Sequence, residues 1–288
     1  MKRTAIWTAC VSVLLVAVAA AQTQEEYIDI FSVKVKPEKR AQFDAVTKKF
    51  AAANRQNKGD AWLTTETVYG DGNRVTFASF RTSYGDIEKG MEAFMGSLAK
   101  SLGQAGMQKV FDDFGACVES SRGEFRRRRR DLSTNPPADA AAMAQMLGAA
   151  RWLRTTAVHV RPGKIADFEA LLKEYKTAAE KVSPRMTVLV SQAVAGQEGT
   201  VFYITALRSS LSAFDDYPSV QKILGEDGYE KYLKNISETV AGSETTIGRF
   251  MPELSNVPAA VAAVAPDYWT PKPAATAKPK AGAAKKEE

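Results

Sequence analysis

Histidine occurs once in these 288 residues and cysteine twice. That scarcity excludes a structural zinc site of the usual Cys/His spacing. No G-x-x-x-x-G-K-[ST] loop is present, and no G-x-G-x-x-G follows a predicted strand, so nucleotide chemistry of those two kinds is not expected. A single imidazole is also a thin basis for a Ser-His-Asp triad. What is there is ordinary for a folded chain: 45% hydrophobic and 25% charged residues. Full disorder, a collagen-like repeat and a disulfide scaffold are excluded by that balance. The formal net charge is +6, but much of it sits at the ends, on Lys2 and Arg3 and on Lys272, Lys278, Lys280, Lys285 and Lys286. The body is nearly neutral, so no nucleic-acid partner is expected.

Lys2 and Arg3 precede an uncharged apolar stretch from Ala5 to Ala20, and Ala19 and Ala21 occupy the small positions before Gln22. This three-part pattern predicts a signal peptide over 1-21, with export to the periplasm or the exterior. The stretch is short for a span of about 20 residues, so no transmembrane anchor is expected after cleavage. Cleavage removes Cys10 and leaves Cys117 as the sole thiol.

The rest of the chain repeats itself. Val33–Pro37 followed by Phe43 matches Val158–Pro162 followed by Phe168. Phe80-Arg81-Thr82 matches Leu207-Arg208-Ser209, and Gly103, Gly106 and Lys109 match Gly225, Gly228 and Lys231. Asp131-Leu132-Ser133 matches Glu253-Leu254-Ser255. Collinear anchors of this kind are a repeat signature. Each copy reads strand, amphipathic helix, two strands, helix, strand. In the first copy the strands fall near Tyr27–Lys36, Thr64–Tyr69 and Arg74–Arg81. In the second they fall near Arg151–Arg161, Thr187–Val194 and Thr200–Arg208. The prolines Pro37 and Pro162 are placed to start the first helix of each copy. The second helices are expected around Ile87–Leu102 and Leu211–Leu224, with shorter continuations near Gln108–Phe114 and Glu230–Ile236.

The expected class is α+β, with two tandem ferredoxin-like βαββαβ repeats at 22-133 and 151-255. A linker at 134-150 joins them as a loop with one or two helical turns. The composition of 256-288, rich in Ala, Pro and Lys, predicts a disordered tail, with docking of the Tyr268-Trp269 pair on the body or a partner as the alternative. Each sheet carries helices on one face only, so the two sheets are expected to pack face to face as an intrachain pseudo-dimeric α/β barrel. A homodimer with cavities shared between chains is the alternative.

The segments V-K-V-K-P-E-K-R-A-Q-F (Val33–Phe43) and V-H-V-R-P-G-K-I-A-D-F (Val158–Phe168) resemble the opening of dimeric α/β-barrel domains of the antibiotic biosynthesis monooxygenase-like kind. Glu38 departs from the glycine of that pattern and Gly163 keeps it. The resemblance implies a barrel fold whose members include cofactor-independent oxygenases and haem-binding enzymes. Fold of this kind does not fix a reaction.

His159 alternates with Val158 and Val160 and so points away from the helices, toward the space between the sheets. Its counterpart is Lys34. His159 is therefore the candidate catalytic or ligand-contacting residue, weighed against a hydrogen-bonded gap filler. Arg81 and Arg208 occupy matched strand ends and are candidate binders of a carboxylate or phosphate, against solvated strand ends. Tyr203 is a further ligand candidate of unassigned phase. Arg126–Arg130 reads as a charged strand edge, with an anion-binding rim as the alternative. No metal and no cofactor are predicted, with haem as runner-up. The reading is an exported small-molecule-binding or structural module. The alternative is a cofactor-independent monooxygenase-like or haem-binding enzyme with a site between the sheets. The basic tail is a candidate contact for an anionic envelope surface.

Overall fold

The computed structural model describes residues 26–183 and 185–270. The expected signal peptide and the tail beyond residue 270 lie outside the described residues. In chain order the elements are β1 (Tyr27–Val35), α1 (Arg40–Asn57), β2 (Leu63–Tyr69), β3 (Arg74–Arg81), α2 (Gly85–Cys117), β4 (Val118–Arg128) and α3 (Ala140–Ala149). They continue with β5 (Trp152–Val160), α4 (Ile165–Val182), β6 (Leu189–Ala195), β7 (Thr200–Arg208), α5 (Val220–Thr239), β8 (Val240–Phe250), α6 (Ala259–Ala262) and α7 (Pro266–Trp269).

The expected α/β barrel is present, but its two sheets join edge to edge instead of stacking face to face. The eight strands form one closed antiparallel barrel in the order β1-β3-β2-β8-β5-β7-β6-β4. The two seams are β2 with β8, where Thr65 opposes Phe250, and β4 with β6, where Arg127 opposes Gln192. A four-stranded sheet leaves unpaired N–H and C=O groups along each edge, and joining the edges satisfies them. Closure happens within one chain.

Strand alternation sorts the side chains. Val158 and Val160 pack outward with Phe168 and Leu171 of α4. Val33 and Val35 pack outward with Phe43 of α1. Ile30, Ser32, Thr155, Ala157 and His159 face the lumen instead. Pro37 opens a 3-10 turn ahead of α1, which itself starts at Arg40. Helix α2 runs through the gap expected after Leu102 with one break at Gly103, whose φ is 65°. Helix α5 breaks likewise at Gly225, φ 73°. Glycine takes that conformation without a Cβ clash.

The Arg126–Arg130 run is not at a sheet edge, a second correction. β4 pairs with β1 on one side and β6 on the other. Arg126 and Arg128 face the lumen. Arg129 is buried against Asp131, Glu169 and Gln192.

The linker and tail are more ordered than expected. Asp139 caps the ten-residue α3 by accepting from the Ala142 amide at 2.8 Å. The expected free tail instead packs on the body as far as Thr270. Trp269 is fully buried, its Nε1 donating to the Gly148 carbonyl at 2.8 Å and its ring edge-on to Phe250 at 5.5 Å. An indole that finds both an apolar slot and an acceptor docks despite a polar surrounding sequence. No helix among the described residues is long and apolar enough to cross a membrane.

Candidate functional site

The barrel encloses a cavity of about 590 Å³, within the range of small-molecule sites. Its floor is apolar: Leu63, Leu153, Leu189, Leu207 and Phe250 from the strands, with Met143 and Leu147 of α3 beneath them. A belt of threonines crosses the middle, with Thr155 bonded to Thr205 at 3.1 Å and Ser32 to Thr76 at 2.9 Å. The far rim carries Asp71, Arg74, Arg122, His159 and Glu244.

One wall holds a polar network. Arg126 Nε donates to Glu124 Oε2 at 2.7 Å, and the guanidinium carbon lies 3.3 Å above the Tyr203 ring centre. Gln197 Nε2 donates to the Tyr203 hydroxyl oxygen at 2.8 Å and to Glu124 Oε1. Gln197 Oε1 in turn accepts from Arg122 at 3.1 Å.

Local backbone makes this assembly possible. Gln197 sits in the β6–β7 hairpin directly after Gly196, whose φ is +86°. A Cβ on Gly196 would stand 2.1 Å from the Gly123 carbonyl oxygen of β4. The glycine therefore lets the hairpin lie against β4, which brings Gln197 to Glu124.

Burial and charge set the ionisation. Desolvation alone pushes Glu124 up, but the Arg126 charge and the hydrogen bonds from Arg126, Tyr203 and Gln197 outweigh it, leaving the carboxyl below its ordinary value. Burial pushes the Tyr203 phenol well up, so it stays protonated.

The predicted site residues divide between the two sides of the barrel wall. His159 faces the lumen at its exposed rim, its imidazole without a hydrogen bond among the described residues. Lys34 stands at the matching place of β1 and pairs with Asp71 at 3.2 Å. Both positions abut a register shift, Lys34/Val35 against β4 and His159/Val160 against β8. Tyr203 lies in the network.

Arg81 and Arg208 stand elsewhere. Arg81 takes Asp60 in a two-point bond, 2.7 Å at each nitrogen, and Asp29 at 3.2 Å. Arg208 lies 4.0 Å over the Tyr217 ring and donates to the Leu207 and Ala213 carbonyls. Neither lines the cavity. Sequence reasoning missed Glu124 and Gln197, and held Arg126 only as part of a charged run. The available signal was phase, since Arg122, Glu124 and Arg126 alternate on one strand face. Among the described residues no group of three His, Cys, Asp or Glu is placed to hold a metal ion.

An anthrone oxidase-like protein superimposes with TM-score 0.50 at 13% identity, over 79% of this chain and 92% of that one. The fold is the dimeric α/β barrel. Chlorite dismutase from Candidatus Nitrospira defluvii, in complex with imidazole, matches this dimeric α/β barrel with TM-score 0.45 at 9% identity, over 79% of this chain and 92% of that one. No protein-family model and no curated protein matches the sequence.

Proposed function

We propose that this chain is an exported small-molecule-binding protein whose ligand occupies the barrel lumen. The carrying observation is the lumen itself, about 590 Å³ with an apolar floor and a hydrogen-bonded polar network on one wall. Side chains that merely filled a structural core would leave no such volume. The test uses the fluorescence of N-phenyl-1-naphthylamine, a neutral apolar dye. Saturable enhancement is expected, and Ala78→Trp or Ala157→Trp, which fill the lumen from opposite walls, should abolish it. No enhancement, or enhancement untouched in folded variants, overturns the reading.

An oxygenase working on an organic substrate in the same lumen is the second reading. What supports it is the fold shared with an anthrone oxidase-like protein, and fold alone does not fix chemistry. For haem, the chain offers one imidazole, His159, at the exposed rim, and Tyr203 already engaged by Arg126, Glu124 and Gln197. Haem therefore ranks second to a purely organic ligand. Titrating hemin into the purified protein checks this: a bound Soret band lost in His159→Ala would reverse the ranking.

The tandem-repeat origin belongs to this proposal as well. Matched helix breaks at Gly103 and Gly225, and matched register shifts at Lys34 and His159, support two diverged copies of one unit. Export is tested by the mass of secreted protein, which should begin at Gln22. A homodimer would have to form through the outer helices, because the sheet edges are already joined. Contact of the basic tail with an anionic envelope surface should be lost at high salt.

A further inference from the structure

Most guanidiniums of the lumen have a counter-charge. Arg74 pairs with Asp71, Arg126 with Glu124 and Arg128 with Glu26. Arg130 bonds only the Ala138 carbonyl, and among the described residues the Arg122 side chain bonds only the neutral amide oxygen of Gln197. Arg122 is exposed at the rim of the cavity. Gln197 is in turn fixed by Glu124 and Tyr203, so the guanidinium is aimed by a buried network while its remaining donors stay open. A planar fork of this kind matches a carboxylate.

The duplication sharpens the point. The position matching Arg122 on β8 is Glu244, and the position matching Arg126 is Gly248. A Cβ at Gly248 would meet Leu153 at 3.0 Å and the Glu66 carbonyl oxygen at 3.2 Å. The β4 wall therefore carries cations where the β8 wall carries an acid and a gap. The lumen has one cationic wall rather than two equivalent ones. From Leu153 on the floor to His159 at the rim is six residues of β5, about 20 Å along the strand. That is long enough for an extended chain.

We infer that the ligand is an amphiphilic carboxylic acid, its hydrocarbon part on the apolar floor and its carboxylate against Arg122. This rests on the lumen-binding reading and adds the head group. The experiment is displacement of N-phenyl-1-naphthylamine from the full chain by dodecanoate, dodecan-1-ol and dodecyltrimethylammonium, each below its micellar concentration. Dodecanoate should displace at about one-tenth the concentration of the alcohol, the worth of a charge-assisted bond. Arg122→Gln, at an exposed position, should erase that difference while leaving dodecan-1-ol unchanged, and Arg122→Lys should restore part of it. Equal displacement by acid and alcohol, a preference for the cation, or an acid preference that survives Arg122→Gln would overturn the head-group assignment while dye binding stands. Failure of the dye itself to bind would bring down the lumen reading and this one together.

Discussion

Arg126 and Arg81 are both arginines on strands of one barrel, yet they do different work because they point to different sides of the wall. Arg81 is 9% exposed and holds Asp60 and Asp29 beneath the helices. Arg81→Gln should lower stability by about 3 kcal/mol, since two carboxylates lose a buried counter-ion, while dye affinity stays unchanged. Denaturation and dye titration on one sample check both halves of that statement. In the lumen, Glu124 is held below its ordinary value of 4.5 by Arg126 and its hydrogen-bond donors. A carboxylate depressed in the folded state adds stability that is present above the unfolded value. That stability is lost as pH falls through the lower folded value. Glu124→Gln should therefore cost about 3 kcal/mol at neutral pH, and the gap to the parent protein should narrow as pH falls below the ordinary carboxyl value of 4.5 toward the lower folded value. Urea denaturation of both proteins from pH 7 to pH 3 measures it, and a gap constant across that range would refute the assignment.

At the scale of the element, the β6–β7 hairpin shows how one residue positions several. Gly196→Ala would force a Cβ to 2.1 Å from the Gly123 carbonyl oxygen at a positive φ. The strain is worth about 2 kcal/mol or more, and the hairpin must lift, taking Gln197 away from Glu124 and Arg122. Reduced stability with weaker carboxylate preference is the expected pair of effects, read by thermal melting and the displacement assay. The strands and their phases were legible in the sequence because alternation records burial directly: Val33, Val35, Val158 and Val160 against Lys34 and His159. Helix breaks at Gly103 and Gly225 were visible as matched glycines. The polar network was not legible. It joins Glu124 and Arg126 to Gln197 and Tyr203 across the β4–β6 seam, and a seam between distant strands leaves no local periodicity. The run from Arg126 to Arg130 looked like surface charge because composition does not reveal that β4 has neighbours on both sides. Docking of Trp269 was left open by the sequence for a similar reason, because its acceptor Gly148 lies on α3, far away along the chain.

At the scale of the molecule, the two halves are interlocked rather than merely joined. Leu132, which follows β4 of the first half, is buried in the second half's core with Phe168, Leu171 and Phe202. Leu254, which follows β8 of the second half, is buried in the first half's core with Val33, Val35 and Phe43. The serines beside them act alike: Ser133 Oγ accepts from the Val190 amide and Ser255 Oγ from the Thr64 amide, each at 2.9 Å. The matched Asp131-Leu132-Ser133 and Glu253-Leu254-Ser255 segments are thus reciprocal hooks, each completing the core of the other half. Neither half can keep its helix–sheet core without the other, so unfolding should be a single transition with coincident fluorescence and circular-dichroism curves. Leu254→Ala should cost about 3–5 kcal/mol and loosen amide protection first in α1, although the substitution lies beyond β8. Leu132→Ala should do the same in α4. Hydrogen exchange of the two variants decides the matter, because independent halves would loosen on the side that carries the mutation and the hooks require the opposite side.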